Sequence, residues 1–468
     1  MSTQTLAAQV HKSALSAPKK SLAKLTLWPL VAATFFMVSG GTYGTEDIVH
    51  GAGYGLAVLI LILTPLVWSL PTAFMIGELA SALPHEGGYY AWARRALGNF
   101  WGFQEAWLSL AASIFDMAIY PTLFVAYLTR LAPAIGIGHR GEMVALAVVV
   151  TCAALNIAGI RVVGITSLWL FFFLSAPFAV MIALAPFRAG ALAHAHTAPV
   201  TSTVGLLGGT LIAMWNYMGW DNASTIALEV ERPQRTYPRA MIAAVVLVAL
   251  SYVLPVLAVR ITGVPASAFE TGSWADLAGL MAGNWLRVAL VLGGMISGFG
   301  MFNALVMSYS RLPLAMAQDG MLPRVFAKLH PKTGTPWVSI LVCATGWALC
   351  LGLGFERLVT LDIMVYGASL LLEFVSLVVL RIRQPQLPRP FRVPGGLAGA
   401  ILAGAFPTAL LVLALVHSDQ ERILGINGLL FGVVIIAAGF IAYWAISAVW
   451  RPQPRLAVAE HPAEAAAD

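Results

Sequence analysis

Charge is the scarcest ingredient of this chain: Asp, Glu, Lys and Arg make up 10% of its 468 residues, far below their share in soluble globular domains. So little charge excludes a soluble fold. Cysteine is nearly absent as well. Cys152, Cys343 and Cys350 fall inside apolar segments with no CxxC spacing and no outer pair, which excludes a disulfide framework and a thiolate metal site and leaves three small buried apolar residues. Catalytic signatures are missing too, with no HExxH, no phosphate loop and no nucleophile–base pair, so the chain is not read as an enzyme. His194 and His196 form an HxH without further ligands, so no metal and no cofactor are expected. The N-terminal tail holds lysines but no apolar stretch with a small-residue cleavage site, so the first helix is expected to be retained.

What the chain does have is apolar length. Hydrophobic residues account for 59% of it and the mean hydropathy is +0.82. A helix needs about 20 apolar residues to cross the hydrocarbon layer. Segments that qualify lie near 26–52 (interrupted), 55–82, 101–131, 142–159, 164–186, 206–230 (interrupted), 240–262, 284–316, 337–354, 358–381, 397–417 and 424–449. They are too uniformly apolar for the alternating strands of a barrel, so the fold class is an all-α membrane protein with about 12 transmembrane helices. Residues 1–25 and 451–468, polar or rich in Ala and Pro, are expected to be disordered tails.

The basic residues orient the bundle. Lys12, Lys19, Lys20, Lys24, Arg94, Arg95, Arg161, Arg232, Arg235, Arg239, Arg311, Arg324, Lys328, Lys332, Arg381, Arg383, Arg389, Arg392, Arg451 and Arg455 put most of the 27 Lys and Arg on the side of the tails. That asymmetry predicts a multi-pass protein of the cytoplasmic (inner) membrane with both termini cytoplasmic. The net charge of +6 then follows from topology and anionic headgroups, so the expected partners are membrane lipids, with no nucleic acid and no obligate protein partner.

Two of the segments are broken in the middle. The first holds "VSGGTYGTEDIVHGAG" (38–53), where Gly40, Gly41 and Gly44 interrupt the helix and Glu46 and Asp47 follow; the second holds "AMWNYMGWDNASTIALEVERPQRTYPRA" (213–240), with Asn216, Gly219, Asp221 and Asn222 at mid-depth. Unwinding a helix in hydrocarbon exposes N–H and C=O groups at several kcal/mol each, which is tolerable only where they line a polar cavity or meet a ligand. The two breaks, and the long crossings 101–131 and 284–316, recur at matched offsets. That pattern predicts a 5+5 inverted repeat, 26–187 and 206–382, with two further helices in 397–450 and a substrate site at the midplane between the breaks.

At this point the chain resembles the amino acid–polyamine–organocation superfamily of transporters, over about residues 26–450. Trp215-x-Tyr217-x-Gly219-x-Asp221-x-Ala223 looks like its sixth-helix signature, "EVERPQRTYPRA" its cytoplasmic exit, "GELASALPHEGGYYAWARRALG" (77–98) the loop after its second helix, and "AMAQDGMLPRVFAKLHPKTGTPW" (315–337) the loop after its eighth. "YGTEDIV", "WGFQEAW", "DMAIYPTLF" and "WDNAST" are similar to the plant and protozoan polyamine-uptake (L-amino acid transporter-like) branch. The resemblance implies the LeuT-like fold with discontinuous helices 1 and 6, and proton-coupled import of putrescine, spermidine or related cations.

Glu46, Asp47, Asp116 and Asp221 are expected around one cavity, with no Lys or Arg at that depth. Transporters of this architecture hold an amino acid's carboxylate at the first break, where two acids would repel it by about 1 to 4 kcal/mol per pair at 4 Å. A polyamine carries amines only, and Trp215, Tyr217 and Trp220 offer ring faces to an ammonium group. Glu46 and Asp47 have a second reading as caps of the outer half-helix.

The substrate-binding set is therefore Gly40, Gly41, Tyr43, Gly44, Glu46, Asp47, Asp116, Trp215, Tyr217, Trp220 and Asp221. Ser297, Ser308 and Ser310 could serve a sodium site, but serines are common in membrane helices, and 164–187 lacks the lysine that some sodium-independent relatives carry. A proton on a carboxylate is the favoured coupling ion, with Asp221, Glu373, Glu78 and Glu105 as candidates; Glu78 and Glu229 also read as structural partners of nearby arginines. The expected function is a secondary active transporter taking up putrescine, spermidine, agmatine or a basic amino acid by alternating access. An amino acid symporter or exchanger is the alternative.

Overall fold

The computed structural model describes residues 25–85, 87–159, 161–193, 206–352, 355–417, 422–423 and 426–449. The expected tails, Leu25 excepted, and the His194–His196 pair lie outside the described residues, as does the side chain of Glu229.

The chain is a bundle of apolar helices. In order these are α1 (Leu27–Val38), α2 (Glu46–Thr64), α3 (Leu70–Ala82), α4 (Gly88–Leu97), α5 (Asn99–Thr129), α6 (Arg140–Ala158), α7 (Arg161–Leu184) and α8 (Leu206–Asn216). There follow α9 (Pro233–Thr262), α10 (Trp274–Ala282), α11 (Asn284–Tyr309), α12 (Arg311–Gln318), α13 (Trp337–Ala348), α14 (Phe355–Arg383), α15 (Gly396–His417) and α16 (Gly428–Val449). Arg422–Ile423 and Ile426–Asn427 form a short antiparallel ladder before α16. Among the described residues eight helices are long and apolar enough to cross a membrane, and Leu27–Val38, Trp337–Ala348 and Gly396–Val412 are shorter apolar helices. The protein is a multi-pass membrane protein. Large apolar side chains such as Phe172, Phe173, Val246, Ile441 and Trp444 are exposed on its flanks, where lipid replaces water.

The boundary expected between residues 52 and 55 falls at a kink, where Gly53 (φ 66°) leaves the helical conformation and two helices join. From there the apolar run continues to Ala82, widened to a π turn at Pro65–Ser69, where proline supplies no N–H.

Both expected breaks are present. Chain between Val38 and Glu46 is non-helical, with Ser39 extended and Gly41 and Gly44 at φ of 78° and 89°, a region that side chains disfavour. The freed carbonyls find protein donors: Ser297 Oγ to Gly40 at 2.6 Å, Trp274 Nε1 to Thr42 at 3.1 Å, and Asn216 Nδ2 to Gly44 at 3.3 Å. The second break falls after Asn216, whose carbonyl accepts the Tyr252 hydroxyl at 2.7 Å, and chain resumes as a 3-10 helix over Trp220–Glu229. Gly219 turns at φ 84°, and a Cβ there would stand 2.7 Å from the Met37 carbonyl. The two breaks therefore touch through backbone. At one end of the bundle their helices also meet, with Glu231 N donating to Leu25 O at 2.9 Å.

Ion pairs close each end. Glu78, fully buried, is held by Arg381 (Nε to Oε1, 2.9 Å), by Arg389 (3.2 Å) and by the Val393 N–H (2.7 Å), which ties α3 to the end of α14 and the segment after it. The Tyr90 hydroxyl donates to Asp319 at 3.0 Å, and Arg94 pairs with the same carboxylate. At the far end Arg130 binds Glu270 at 2.7 Å and Asp276 at 2.8 Å. Removing one partner of a buried pair costs about 3 to 5 kcal/mol because the other is left uncompensated. Glu78→Ala should lower the midpoint of thermal unfolding in detergent by far more than Glu142→Ala on the exposed end of α6, as read by tryptophan fluorescence.

Candidate functional site

Asp116 sits at the middle of α5, and three neighbours donate to it: Tyr120 at 2.7 Å, Tyr309 at 3.2 Å and the Trp215 indole at 3.3 Å. Beside it lies a small cavity lined by Met37 and Val38 of α1, Asp116 and Tyr120 of α5, Trp215, Met218 and Gly219 at the second break, Tyr309 of α11, and Asp362 and Tyr366 of α14. Asp221 stands one layer behind, accepting the Tyr366 hydroxyl at 2.5 Å, and that hydroxyl in turn accepts the Gly219 N–H at 3.3 Å. Asp116 and Asp221 both act electrostatically on Asp362. Two buried carboxylates, Asp116 and Asp362, thus line the cavity and a third, Asp221, lies behind it, with tyrosine hydroxyls bonded to Asp116 and Asp221, and the lining contains neither Lys nor Arg.

Such an arrangement is unfavourable when empty and fully ionised, since like charges in a weakly screened interior repel. It suits a ligand that brings positive charge and N–H donors. The sulfur and methylene walls of Met37, Val38 and Met218 suit an aliphatic chain between such charges.

Of the residues singled out from the sequence, Asp116 and Trp215 line the cavity and Asp221 adjoins it. Tyr217 and Trp220, expected to offer ring faces to an ammonium group, are not among the residues that line the cavity. The Tyr217 hydroxyl donates to the Leu61 carbonyl at 2.7 Å and its ring packs edge-on against Tyr252, while the Trp220 indole donates to the Tyr217 carbonyl at 2.8 Å. Both are spent holding the second break in shape. Tyr120, Tyr309 and Tyr366 supply the hydroxyls instead, and no spacing rule in the sequence would have picked these tyrosines out.

Nor do the four acids expected together surround one cavity. Glu46 accepts the Gly44 N–H at 2.7 Å, the Gly272 N–H at 2.9 Å and the Tyr127 hydroxyl, and Asp47 accepts Thr271 Oγ1 at 2.6 Å. These bonds fasten the first break to segment 270–273, which Arg130 also grips through the Thr271 carbonyl at 2.9 Å. Gly40, Gly41, Tyr43 and Gly44 lie outside the cavity lining as well. Tyr43 packs edge-on against Tyr127 and Phe178, and the N–H of Gly41 donates to Ser39 Oγ at 3.0 Å. Asp362 is the acid that sequence reasoning overlooked. The signal was available, since any carboxylate within an apolar span invites a functional reading, as Glu373 on the same helix does.

The amino acid permease family profile matches residues 31–448. The chain belongs to the amino acid permease family. It is 36% identical over 419 residues to the polyamine transporter PUT1 of Oryza sativa subsp. japonica, covering 88% of this chain and 77% of that one. To the polyamine transporter RMV1 of Arabidopsis thaliana it is 34% identical over 421 residues, covering 88% of this chain and 84% of the relative.

The bonds of Glu46 hold segment 270–273 in the permease. Glu46→Gln exchanges a carboxylate that accepts from two backbone N–H groups for an amide whose own N–H₂ opposes one of them. Amide hydrogen exchange of segment 270–276 should speed up about tenfold or more, the cost of weakening a buried charge-assisted bond. Unchanged exchange in the folded variant would mean that Glu46 does not hold this segment.

Proposed function

We propose that the permease takes up polyamines, coupled to protons, by alternating access across a cytoplasmic membrane. The observation that carries this reading is the Asp116–Asp221–Asp362 constellation around a cavity whose lining holds no cationic side chain. Ammonium groups would sit against the carboxylates, with the methylene chain along Met37, Val38 and Met218 and the indole face of Trp215 available for a cation–π contact. The names of the plant relatives support the same substrate class.

The amino acid alternative is disfavoured by the first break. Its Gly41 and Gly44 N–H groups already donate to Ser39 and Glu46, so they offer nothing to a substrate carboxylate, and the three aspartates would repel one. In the proposal Gly40, Gly41, Tyr43 and Gly44 shape the break, and Glu46 and Asp47 act at its outer side on segment 270–273 rather than on the amine.

Charge balance points to the coupling ion. Three facing carboxylates and a substrate with two ammonium groups leave one negative charge, which a proton on Asp221 would neutralise during the crossing. Glu78 does not serve this purpose, being committed to Arg381 and Arg389. The twelve-crossing count, the 5+5 inverted repeat and the cytoplasmic placement of both termini belong to the same proposal. They are supported by two touching breaks in α1–α2 and α8 and by the meeting of Leu25 with Glu231 at the end that basic residues mark. Opening one end would require its ion pairs to part while those at the other end hold.

Ligand binding to the native state raises its unfolding temperature by mass action. Putrescine, spermidine and agmatine should therefore stabilise the purified protein, whereas neutral amino acids should not; stabilisation by α-amino acids alone would overturn the reading. In proteoliposomes with an imposed proton gradient, Asp116→Asn and Asp221→Asn should each reduce putrescine uptake by at least about tenfold, as loss of a buried ammonium partner requires. A protonophore should collapse the wild-type uptake.

A further inference from the structure

Two carboxylates lie outside this cavity and have no evident occupation. Glu105 on α5 and Glu373 on α14 are fully buried. Among the described residues neither oxygen of Glu373, nor Oε2 of Glu105, has a hydrogen-bond partner. Only Glu105 Oε1 is engaged, by Ser109 Oγ at 2.9 Å. The charges that act on Glu373 are those of Asp221 and Glu105, both of its own sign, and Tyr89 stands in the field of all three. Each orphaned buried polar group costs about 1 to 3 kcal/mol, more when charged. Such a cluster persists where a ligand supplies donors and positive charge.

The helix register relates this cluster to the cavity. Glu105 and Asp116 stand eleven residues apart on α5, and Asp362 and Glu373 stand eleven apart on α14. Eleven residues make three full turns, so each pair shares one helix face with its members about 16 Å apart along the axis. Asp116 and Asp362 line the same cavity, while the far end of α14 meets the chain just before α5, where Arg383 donates to the Ala96 carbonyl at 3.4 Å. The two helices therefore pack antiparallel, which sets Glu105 opposite Glu373 as a second rung, and Asp221 acts on both rungs. An extended aliphatic chain covers about 1.2 Å per bond, as the extended backbone does. A diamine as short as putrescine cannot bridge the two rungs, whereas a triamine or tetraamine reaches from the first toward the second.

We propose that Glu105 and Glu373 form a second ammonium subsite, which takes the far end of a long polyamine and makes the permease selective for chain length. This deepens the reading of the Asp116 cavity as an ammonium site and rests on it. A primary ammonium group has three N–H donors, one for each orphaned carboxylate oxygen. A bound proton would satisfy only one of them.

The test is uptake and competition in proteoliposomes of the full chain, with putrescine, spermidine and a series of α,ω-diamines from short to long. Glu105→Gln and Glu373→Gln should raise the KM for spermidine about tenfold more than the KM for putrescine, the mark of a lost buried charge partner. In the wild type, competition by the diamines should tighten once the chain is long enough to join the two rungs. Equal losses for both substrates in folded variants would overturn the proposal. So would a displaced pH profile with an unchanged spermidine-to-putrescine ratio, which would assign the pair to the coupling proton. Should the variants fail to fold, a flat dependence on diamine length in the wild type overturns it alone. Failure of the underlying cavity reading is distinguishable, because Asp116→Asn would then leave the uptake of both amines intact.

Discussion

Backbone polar groups cannot be left unpaired in hydrocarbon, and this constraint organises the centre of the permease. Interrupting α1 and α8 frees carbonyls and amides at mid-depth; the Gly41 and Gly44 amides are met by Ser39 and Glu46 nearby in the chain, and carbonyls take donors from other helices. Ser297 on α11, Trp274 on α10, Tyr252 on α9 and Asn216 on the other broken helix provide them. The breaks consequently gather the surrounding helices about themselves. The site exists where these helices are forced to meet.

The same requirement explains the division of labour among the aromatic residues. Tyr217 and Trp220 spend their polar atoms on carbonyls at Leu61 and Tyr217, holding the second break in shape. Tyr120, Tyr309 and Tyr366 instead turn their hydroxyls on carboxylates, where a hydrogen bond offsets part of the cost of burying charge. An aromatic ring in a membrane bundle can thus be a packing element or a site element. Which one it becomes depends on whether a carbonyl or a carboxylate lies within reach.

Acids are divided in a similar way. Glu78 and Asp319 are held by arginines at one end of the bundle, and Glu270 and Asp276 by Arg130 at the other. Glu46 and Asp47 are satisfied by neutral donors beside segment 270–273. Asp116, Asp221, Asp362, Glu105 and Glu373 have no such cation, and they lie together along the contact of α5, α14 and the second break. Among the described residues, these five buried acids without a cationic partner form a single seam.

Much of this was legible in the residues themselves. Low charge and long apolar runs settle a helical membrane protein because backbone hydrogen bonds must close within each segment. Glycines at mid-segment beside acids mark the two breaks, because only there can unwound chain be repaid. Asp116, Trp215 and Asp221 were recognisable by the same rule. Glu46 and Asp47, read as substrate partners, look identical in the sequence to acids that hold a neighbouring segment, since the difference is made by Thr271 and Gly272 more than 200 positions away. Tyr309 and Tyr366 join the site through helix packing alone, and packing decides that Asp362, an acid within an apolar span, shares a cavity with Asp116. Periodicity states which residues share a face of one helix; which face meets which neighbour, and so which acids stand opposed, is decided only when the helices pack.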